Sequence, residues 1–153
     1  MNHTYKVHTE EQGKSMAMRL LIHYVGDIHQ PLHCSTLVND KYPAGDRGGN
    51  SFKLPSADQR ELHAVWDSVA LEFANAGYAK LPFSDKDWNE NGDIADRLKK
   101  TYDVDDKQVK DLNIMDWAAD DFKITTDFLY KNIKENEMLP EAYIKQGVSI
   151  SEK

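Results

Sequence analysis

Two short motifs place histidines and aspartates at the spacing of metal ligands. In HYVGDIHQPLH, His23 and Asp27 stand four residues apart and His33 follows a proline; further along, LHAVWD repeats the spacing with His63 and Asp67. On a helix, side chains four positions apart lie on one face about one turn apart, so each pair can bind one cation or two adjacent cations. Zinc binds imidazole nitrogens and carboxylate oxygens. The five residues therefore predict a multinuclear zinc site.

The combination of motifs carries this prediction, because a single His–Asp pair is a weak signal. Such pairs arise by chance, and one alone more often forms a surface ion pair or a capping contact. Here there are two pairs, a third histidine just past Pro31 and a glycine-rich segment between the motifs. His29 faces away from the edge that holds His23 and Asp27, so a hydrogen-bonding or solvent-facing role is expected for it.

The first motif is predicted to lie on a long amphipathic helix. The helix should begin near Thr9, where TEEQ has the form of a capping box, and should end before Pro31. His23 and Asp27 fall at the edge of its apolar stripe, where helical bundles carry metal ligands. The stripe is expected to be buried and comprises Ala17, Leu20, Leu21, Tyr24, Val25 and Ile28.

The rest of the chain also predicts helices joined by loops. Residues 31–55 carry turn-forming glycines and prolines, and a second helix is expected to begin at Ser56, where SADQ repeats the capping pattern. Shorter and longer helices are expected over residues 93–102 and about 113–136. Since no segment alternates enough to demand a strand, the prediction is an all-α helical bundle. The second helix should bury Leu62, Val65, Trp66, Val69, Ala70 and Phe73.

Composition limits the class of protein. The 153 residues predict a single domain, and no apolar run approaches the roughly 20 residues that span a bilayer. The net charge of −7 argues against a basic surface that attracts nucleic acid, although residues 1–83 are nearly neutral. Cys34 is the only cysteine, so no intramolecular disulfide can form, and a buried free thiol is expected. The first residues lack the apolar segment of a signal peptide.

Three motifs in order, HYVGDIHQPLH, GDRGGN and LHAVWD, resemble those of the zinc-dependent single-strand nucleases of fungi and plants. That family shares its all-α fold with bacterial zinc phospholipase C. The resemblance implies that His23 and Asp27 bind one zinc. It also implies that His33, His63 and Asp67 bind a second, and that Asp27 reaches a third. Asp27 is therefore the candidate catalytic residue.

The resemblance also gives a role to the glycine-rich segment. Gly48, Gly49 and Asn50 match the family's GGN, in which the glycines let the backbone approach the substrate and the asparagine hydrogen-bonds a base. The alternative is an ordinary turn whose asparagine tolerates a left-handed conformation.

A hydrolase acting on phosphodiester bonds is the activity that the resemblance implies. The expected substrates are single-stranded DNA and RNA, cleaved to 5′-phosphorylated products, with 3′-nucleotidase activity alongside. The expected location is secreted or similar to a lysosome or vacuole, and no protein partner is indicated. A phospholipase C of the same fold and a zinc-binding fragment without activity are the alternatives.

The resemblance further implies that the domain is partial. The family completes its site with an N-terminal tryptophan and with histidine and aspartate ligands that this sequence does not contain. It also ends in a long helix that this chain barely begins. We therefore expect a domain incomplete at both ends. Of the family's three zinc sites, one should keep a complete ligand set here and two should keep partial sets.

Overall fold

A computed structural model describes residues 9–55, 60–73, 82–102 and 106–151. Within these ranges the protein has helices and no strand, and Lys53 and Glu61 form one isolated antiparallel bridge. The all-α prediction is confirmed. The elements are α1 (Glu10–Ile28), a 3₁₀ turn (Pro31–His33), α2 (Leu62–Asp67), α3 (Asp85–Thr101), α4 (Asp106–Lys110), α5 (Ile114–Ile124), a π-helix (Thr125–Leu129) and α6 (Glu141–Ser151).

The elements belong to two compact units. The first unit comprises residues 1–48 and 114–131, and the second comprises residues 49–113 and 132–153. The first therefore holds α1, the 3₁₀ turn, α5 and the π-helix, whereas the second holds the other helices. The single domain expected from the chain length stays a prediction. Among the described residues, no helix is both long enough and apolar enough to cross a bilayer.

Helix α1 has the predicted ends but not the predicted burial. The Thr9 hydroxyl accepts a hydrogen bond from the Gln12 N–H at 3.1 Å, and the helix ends at Ile28, before Pro31. None of its residues is buried, and Leu21 and Tyr24 are 58% and 60% exposed. The predicted buried stripe is therefore wrong for the described chain. Within the first unit, α1 contacts α5 and the 3₁₀ turn, which cover only a small part of a 19-residue helix.

Helix α2 is much shorter than the predicted second helix. The proposed cap at Ser56 lies outside the described residues, but Glu61 has an extended backbone and the helix begins only at Leu62. It ends at Asp67, because the backbone turns left-handed from Val69 to Leu71, with φ between 50° and 74°. Most of the predicted core is confirmed, since Leu62, Val65, Trp66 and Ala70 are buried, while Val69 and Phe73 are half-buried.

The later helices also differ in length from their predictions. Helix α3 begins upstream of residue 93 because Ser84 and Asp87 form a capping box. The long helix expected over residues 113–136 ends at Leu129, after α5 has widened into the π-helix. In this helix Leu129 is fully buried, whereas Trp117, Ile124 and Phe128 are half-buried.

Helix α6 packs against the residues that carry the second motif. The Trp66 indole N–H donates a hydrogen bond to the Tyr143 hydroxyl at 3.1 Å, and both side chains are buried. One turn further along α6, Gly147 lies so close to α2 that an added Cβ would be 2.8 Å from the Ala70 Cβ. This close approach is part of what holds α2 in place within the second unit.

Replacing Gly147 with alanine should therefore destabilise the chain. We expect a loss of about 1–2 kcal/mol in the free energy of unfolding, because two methyl groups at 2.8 Å must move apart in a packed core. Gly92→Ala is the matched control: a Cβ there would have no neighbour within 4 Å among the described residues, and alanine favours helix by up to about 1 kcal/mol. Urea unfolding measures both, and equal stabilities of the two variants would contradict the packing.

Candidate metal centre

In the first motif, His23 and Asp27 form a pair on one face of α1. The His23 Nε2 and Asp27 Oδ2 atoms are 3.2 Å apart, and the side chains are 67% and 34% exposed. The pair is thus open to a solvent cation or to a substrate. The four-residue spacing on a regular helix explains the geometry.

In the second motif, His63 and Asp67 form the same pair on α2. Their Nε2 and Oδ1 atoms are 3.5 Å apart, with Asp67 half exposed and His63 mostly covered. The opposite face of α2 is buried through Leu62, Val65 and Trp66. Burial of that face therefore orients the pair, with Asp67 toward solvent and His63 at the edge of the buried face.

Both pairs have the separation that two ligands of one zinc require. Zinc binds imidazole nitrogen and carboxylate oxygen at about 2.0–2.2 Å in a tetrahedral arrangement, which puts two ligand atoms about 3.3–3.5 Å apart. The measured separations are 3.2 and 3.5 Å. Each pair therefore fits as two ligands of a zinc ion.

His33 ends the 3₁₀ turn and has an exposed side chain. It belongs to the first unit, whereas His63 and Asp67 belong to the second. That the three residues bind one zinc therefore stays part of the proposal made below.

Each glycine of the GGN segment makes backbone contacts within its own unit. At Gly48 the φ angle is +61°, and an added Cβ would lie 2.3 Å from the carbonyl oxygen of Leu32, the residue before His33. In the second unit, the Gly49 carbonyl accepts hydrogen bonds from the N–H groups of Phe52 and His63. Gly48 is thus required by a close backbone contact, and the φ of +79° at Gly49 favours glycine there too. The predicted contact of Asn50 with a base stays a prediction.

His29 has the hydrogen-bonding role that was predicted. Its Nδ1 lies 2.7 Å from the Val25 carbonyl oxygen, and its ring lies 4.8 Å from the Trp117 ring. Next to it in the first unit, Cys34 is half-buried instead of fully buried as predicted, and its thiol lies 3.9 Å from a carboxylate oxygen of Asp121. Burial raises the pKa of the Cys34 thiol, and the nearby Asp121 raises it further.

Asp121 is a buried carboxyl that sequence reasoning missed. Burial raises its pKa from the usual 3.8 to about 6, and the charge of His29 opposes that shift only in part. Between pH 4 and pH 6 the folded chain therefore holds a proton that the unfolded chain has lost. It follows that stability falls as the pH rises through this range and stays lower above it.

Asp121→Asn should flatten this pH dependence. In EDTA, the free energy of unfolding of the parent chain should fall between pH 4 and pH 7 by roughly 1–3 kcal/mol more than that of the variant, since one pKa unit corresponds to about 1.4 kcal/mol. Asp116→Asn, at an exposed position at the start of α5, should keep the parent profile. Identical profiles for the parent chain and Asp121→Asn would show that Asp121 titrates normally.

Three further polar residues that the sequence analysis missed order the loops beside the motifs. Asp46 is fully buried and accepts hydrogen bonds from the Thr36 hydroxyl, the Leu37 N–H and the Tyr130 hydroxyl. Ser35 and the buried Thr125 bond to each other and to the backbone of the 3₁₀ turn. Only Asp46 stood in a recognised motif, GDRGGN. The other two gave no signal, because their partners are about 90 residues away in sequence.

Comparison with known proteins gives one family. The S1/P1 nuclease family model matches residues 2–153. Among curated proteins, Endonuclease 2 of Arabidopsis thaliana is 27% identical over 155 residues, a match that covers 96% of this chain and 50% of that protein. Endonuclease 3 of the same plant is 43% identical over 63 residues, which cover 40% of this chain and 19% of that protein. Nuclease S1 of Aspergillus oryzae is 34% identical over 64 residues, which cover 41% of this chain and 20% of that protein. The chain spans about half the length of Endonuclease 2.

Proposed function

Because this chain belongs to the S1/P1 nuclease family, we propose that it is a zinc-dependent hydrolase of phosphodiester bonds in single-stranded DNA and RNA. The products carry 5′-phosphates, and 3′-nucleotidase activity accompanies cleavage. The names of Endonuclease 2 and Nuclease S1 support the reaction class. The observation that carries the zinc requirement is the pair of His–Asp separations, 3.2 and 3.5 Å, both of which fit two ligands of one ion.

In this proposal the five motif residues hold the ions. His23 and Asp27 hold one zinc, and His33, His63 and Asp67 hold a second. The open position of the His23–Asp27 pair on α1 supports a role for Asp27 at a further ion, since its carboxylate has a second oxygen to offer.

The chain's own groups position the reaction. Bound zinc supplies positive charge that stabilises the phosphate oxygens in the transition state and lowers the pKa of water. The two His–Asp pairs keep that charge at fixed places, which matters in a chain with a net charge of −7. In this proposal the Asn50 amide of the GGN segment donates to and accepts from the edge of a base. Single-stranded substrates leave that base edge unpaired.

Cleavage of a labelled oligonucleotide tests the proposal. The zinc-loaded chain should cut single-stranded DNA into products with 5′-phosphates, should lose this activity in EDTA and should regain it when zinc is restored. The same oligonucleotide annealed to its complement is the matched control and should be cut much more slowly. Zinc binding without cleavage of any nucleic acid would overturn the proposal and favour a zinc-binding polypeptide without activity.

A phospholipase C of the same fold is the second candidate, because the zinc chemistry at a phosphodiester is similar. Release of a phosphorylated headgroup from phosphatidylcholine, with the oligonucleotide left intact, would favour it over the nuclease. The resemblance of the GGN segment to that of the single-strand nucleases favours the nuclease. A secreted or vacuole-like location, as the family implies, belongs to the same proposal.

A further inference from the structure

The 3₁₀ turn that ends in His33 is held by two hydroxyl groups. The Ser35 Oγ lies 2.8 Å from the Pro31 carbonyl oxygen and 2.9 Å from the Thr125 Oγ1. The Thr125 Oγ1 in turn lies 3.3 Å from the same Pro31 oxygen and 3.1 Å from the Asp121 carbonyl oxygen. All of these residues belong to the first unit. The turn is thus tied to the junction of α5 and the π-helix.

The hydrogen bonds of the two hydroxyls depend on each other. Each hydroxyl has a single proton to donate. If Ser35 donates to Thr125, then Thr125 can donate to Pro31; if Ser35 donates to Pro31, then Thr125 can donate to Ser35 or to Asp121. In every one of these arrangements Thr125 donates a hydrogen bond. Because Thr125 is buried, it cannot replace its partners with water.

The other end of the turn is fixed separately. The Gln30 side-chain oxygen accepts a hydrogen bond from the Leu32 N–H and caps the turn, and Gln30, Pro31 and Leu32 are all buried. His33 is the exposed residue of the turn. The backbone of the 3₁₀ turn is therefore buried and held by hydrogen bonds at both ends, and His33 is its exposed residue.

Helix α5 becomes irregular where it contacts the 3₁₀ turn. It changes from α to π geometry at Thr125, whose hydroxyl lies near the carbonyl of Asp121, four residues earlier. Threonine hydroxyls that bond back in this way bend helices, and short π segments inside helices are frequently found at functional sites. The change to π geometry thus occurs at Thr125, the residue that hydrogen-bonds to the 3₁₀ turn.

From these contacts we infer that Thr125 is a positioning residue for His33: together with Ser35 it holds the 3₁₀ turn in the orientation that zinc binding by His33 requires. The inference rests on the proposed function, because it takes His33 as a zinc ligand. Ligand atoms must lie within about 0.2 Å of their ideal distance from the metal, so a small rotation of the turn weakens binding.

Thr125→Val removes the hydroxyl and keeps the shape of the side chain, and Thr125→Ser keeps the hydroxyl. With zinc affinity measured by competition with a chromophoric chelator, valine should weaken binding roughly 10- to 100-fold, the usual effect of losing a residue that orients a ligand. Serine should bind within about 3-fold of the parent chain by the same reasoning. Equal affinities of the valine variant and the parent chain would overturn the inference.

Two further variants separate positioning from general stability. In a His33→Ala background, Thr125→Val should have no further effect on zinc affinity, because the ligand through which it acts is gone. An undiminished effect there would assign Thr125 a structural role instead. Ser35→Ala gives a second route to the same contacts if the valine variant does not fold, and it should weaken zinc binding in the same direction. If the parent chain itself binds no zinc, the proposed function fails, whereas zinc binding that is insensitive to both Thr125→Val and Ser35→Ala refutes only this inference.

Discussion

Replacing His63 with alanine is expected to weaken the tightest zinc site roughly 100-fold or more. Loss of a residue that merely orients a ligand costs 10- to 100-fold, and loss of a ligand costs at least as much. His63 is the better covered of the two histidines in His–Asp pairs, with a side chain only 15% exposed, so water cannot easily take its place beside the metal. Isothermal titration of the metal-free chain with zinc measures the effect.

The control for this experiment is His29→Ala. His29 bonds to the backbone of α1 and contacts Trp117, and it belongs to neither His–Asp pair. Its removal should leave the zinc affinity within about 2-fold of the parent value, far from the loss expected for a ligand. His33→Ala should weaken the same binding event in the zinc titration as His63→Ala. Weakening of a different binding event by each variant would mean that the two histidines bind different ions.

Gly48→Ala is expected to have the second-largest effect, on stability and zinc binding together. The new methyl group would lie 2.3 Å from the Leu32 carbonyl oxygen, which is backbone and cannot turn aside. The residue would also have to keep a φ of +61°, which costs alanine about 1 kcal/mol or more. Together with overpacking, the expected loss in the free energy of unfolding is about 2–4 kcal/mol.

Relief of the clash would require the 3₁₀ turn to move, and His33 with it. We therefore expect zinc affinity to fall along with stability. Gly26→Ala is the control, because a Cβ at that position in α1 meets no atom within 4 Å in the part of the chain that the structure describes. Chemical unfolding in EDTA and zinc titration separate the two effects. A Gly48→Ala variant as stable as Gly26→Ala would contradict the close approach of the two backbone segments.

Local signals in the sequence predicted the parts of the fold that depend on neighbouring residues. The start of α1 follows from the Thr9 hydroxyl and its end from Pro31, both of which act within a few residues. The buried face of α2 and the position of His63 and Asp67 beside it follow from helical periodicity. The capping role of Ser84 depends on Asp87, three residues away, yet it was not recognised, and α3 was predicted too short.

Features that depend on residues far apart in the sequence could not be predicted from local patterns. The amphipathic pattern of α1 predicts a helix but does not say what covers its apolar side, and that side is exposed in the described chain. The short α2 depends on left-handed backbone at Val69 to Leu71, which the residue types oppose. The hydroxyl contacts of Thr125 with Ser35 join segments 90 residues apart, and serine and threonine are too common to indicate such a contact.

The central claim is that imidazole and carboxylate groups of the two motifs bind zinc. X-ray absorption at the zinc edge of the chain loaded with one equivalent of zinc tests it most directly, since the distances and elements around the ion are measured. We expect nitrogen and oxygen neighbours at about 2.0–2.2 Å, with the outer-shell signal of imidazole rings. A sulfur neighbour at about 2.3 Å, which only Cys34 or a methionine could provide, or a zinc surrounded by water alone, would contradict it.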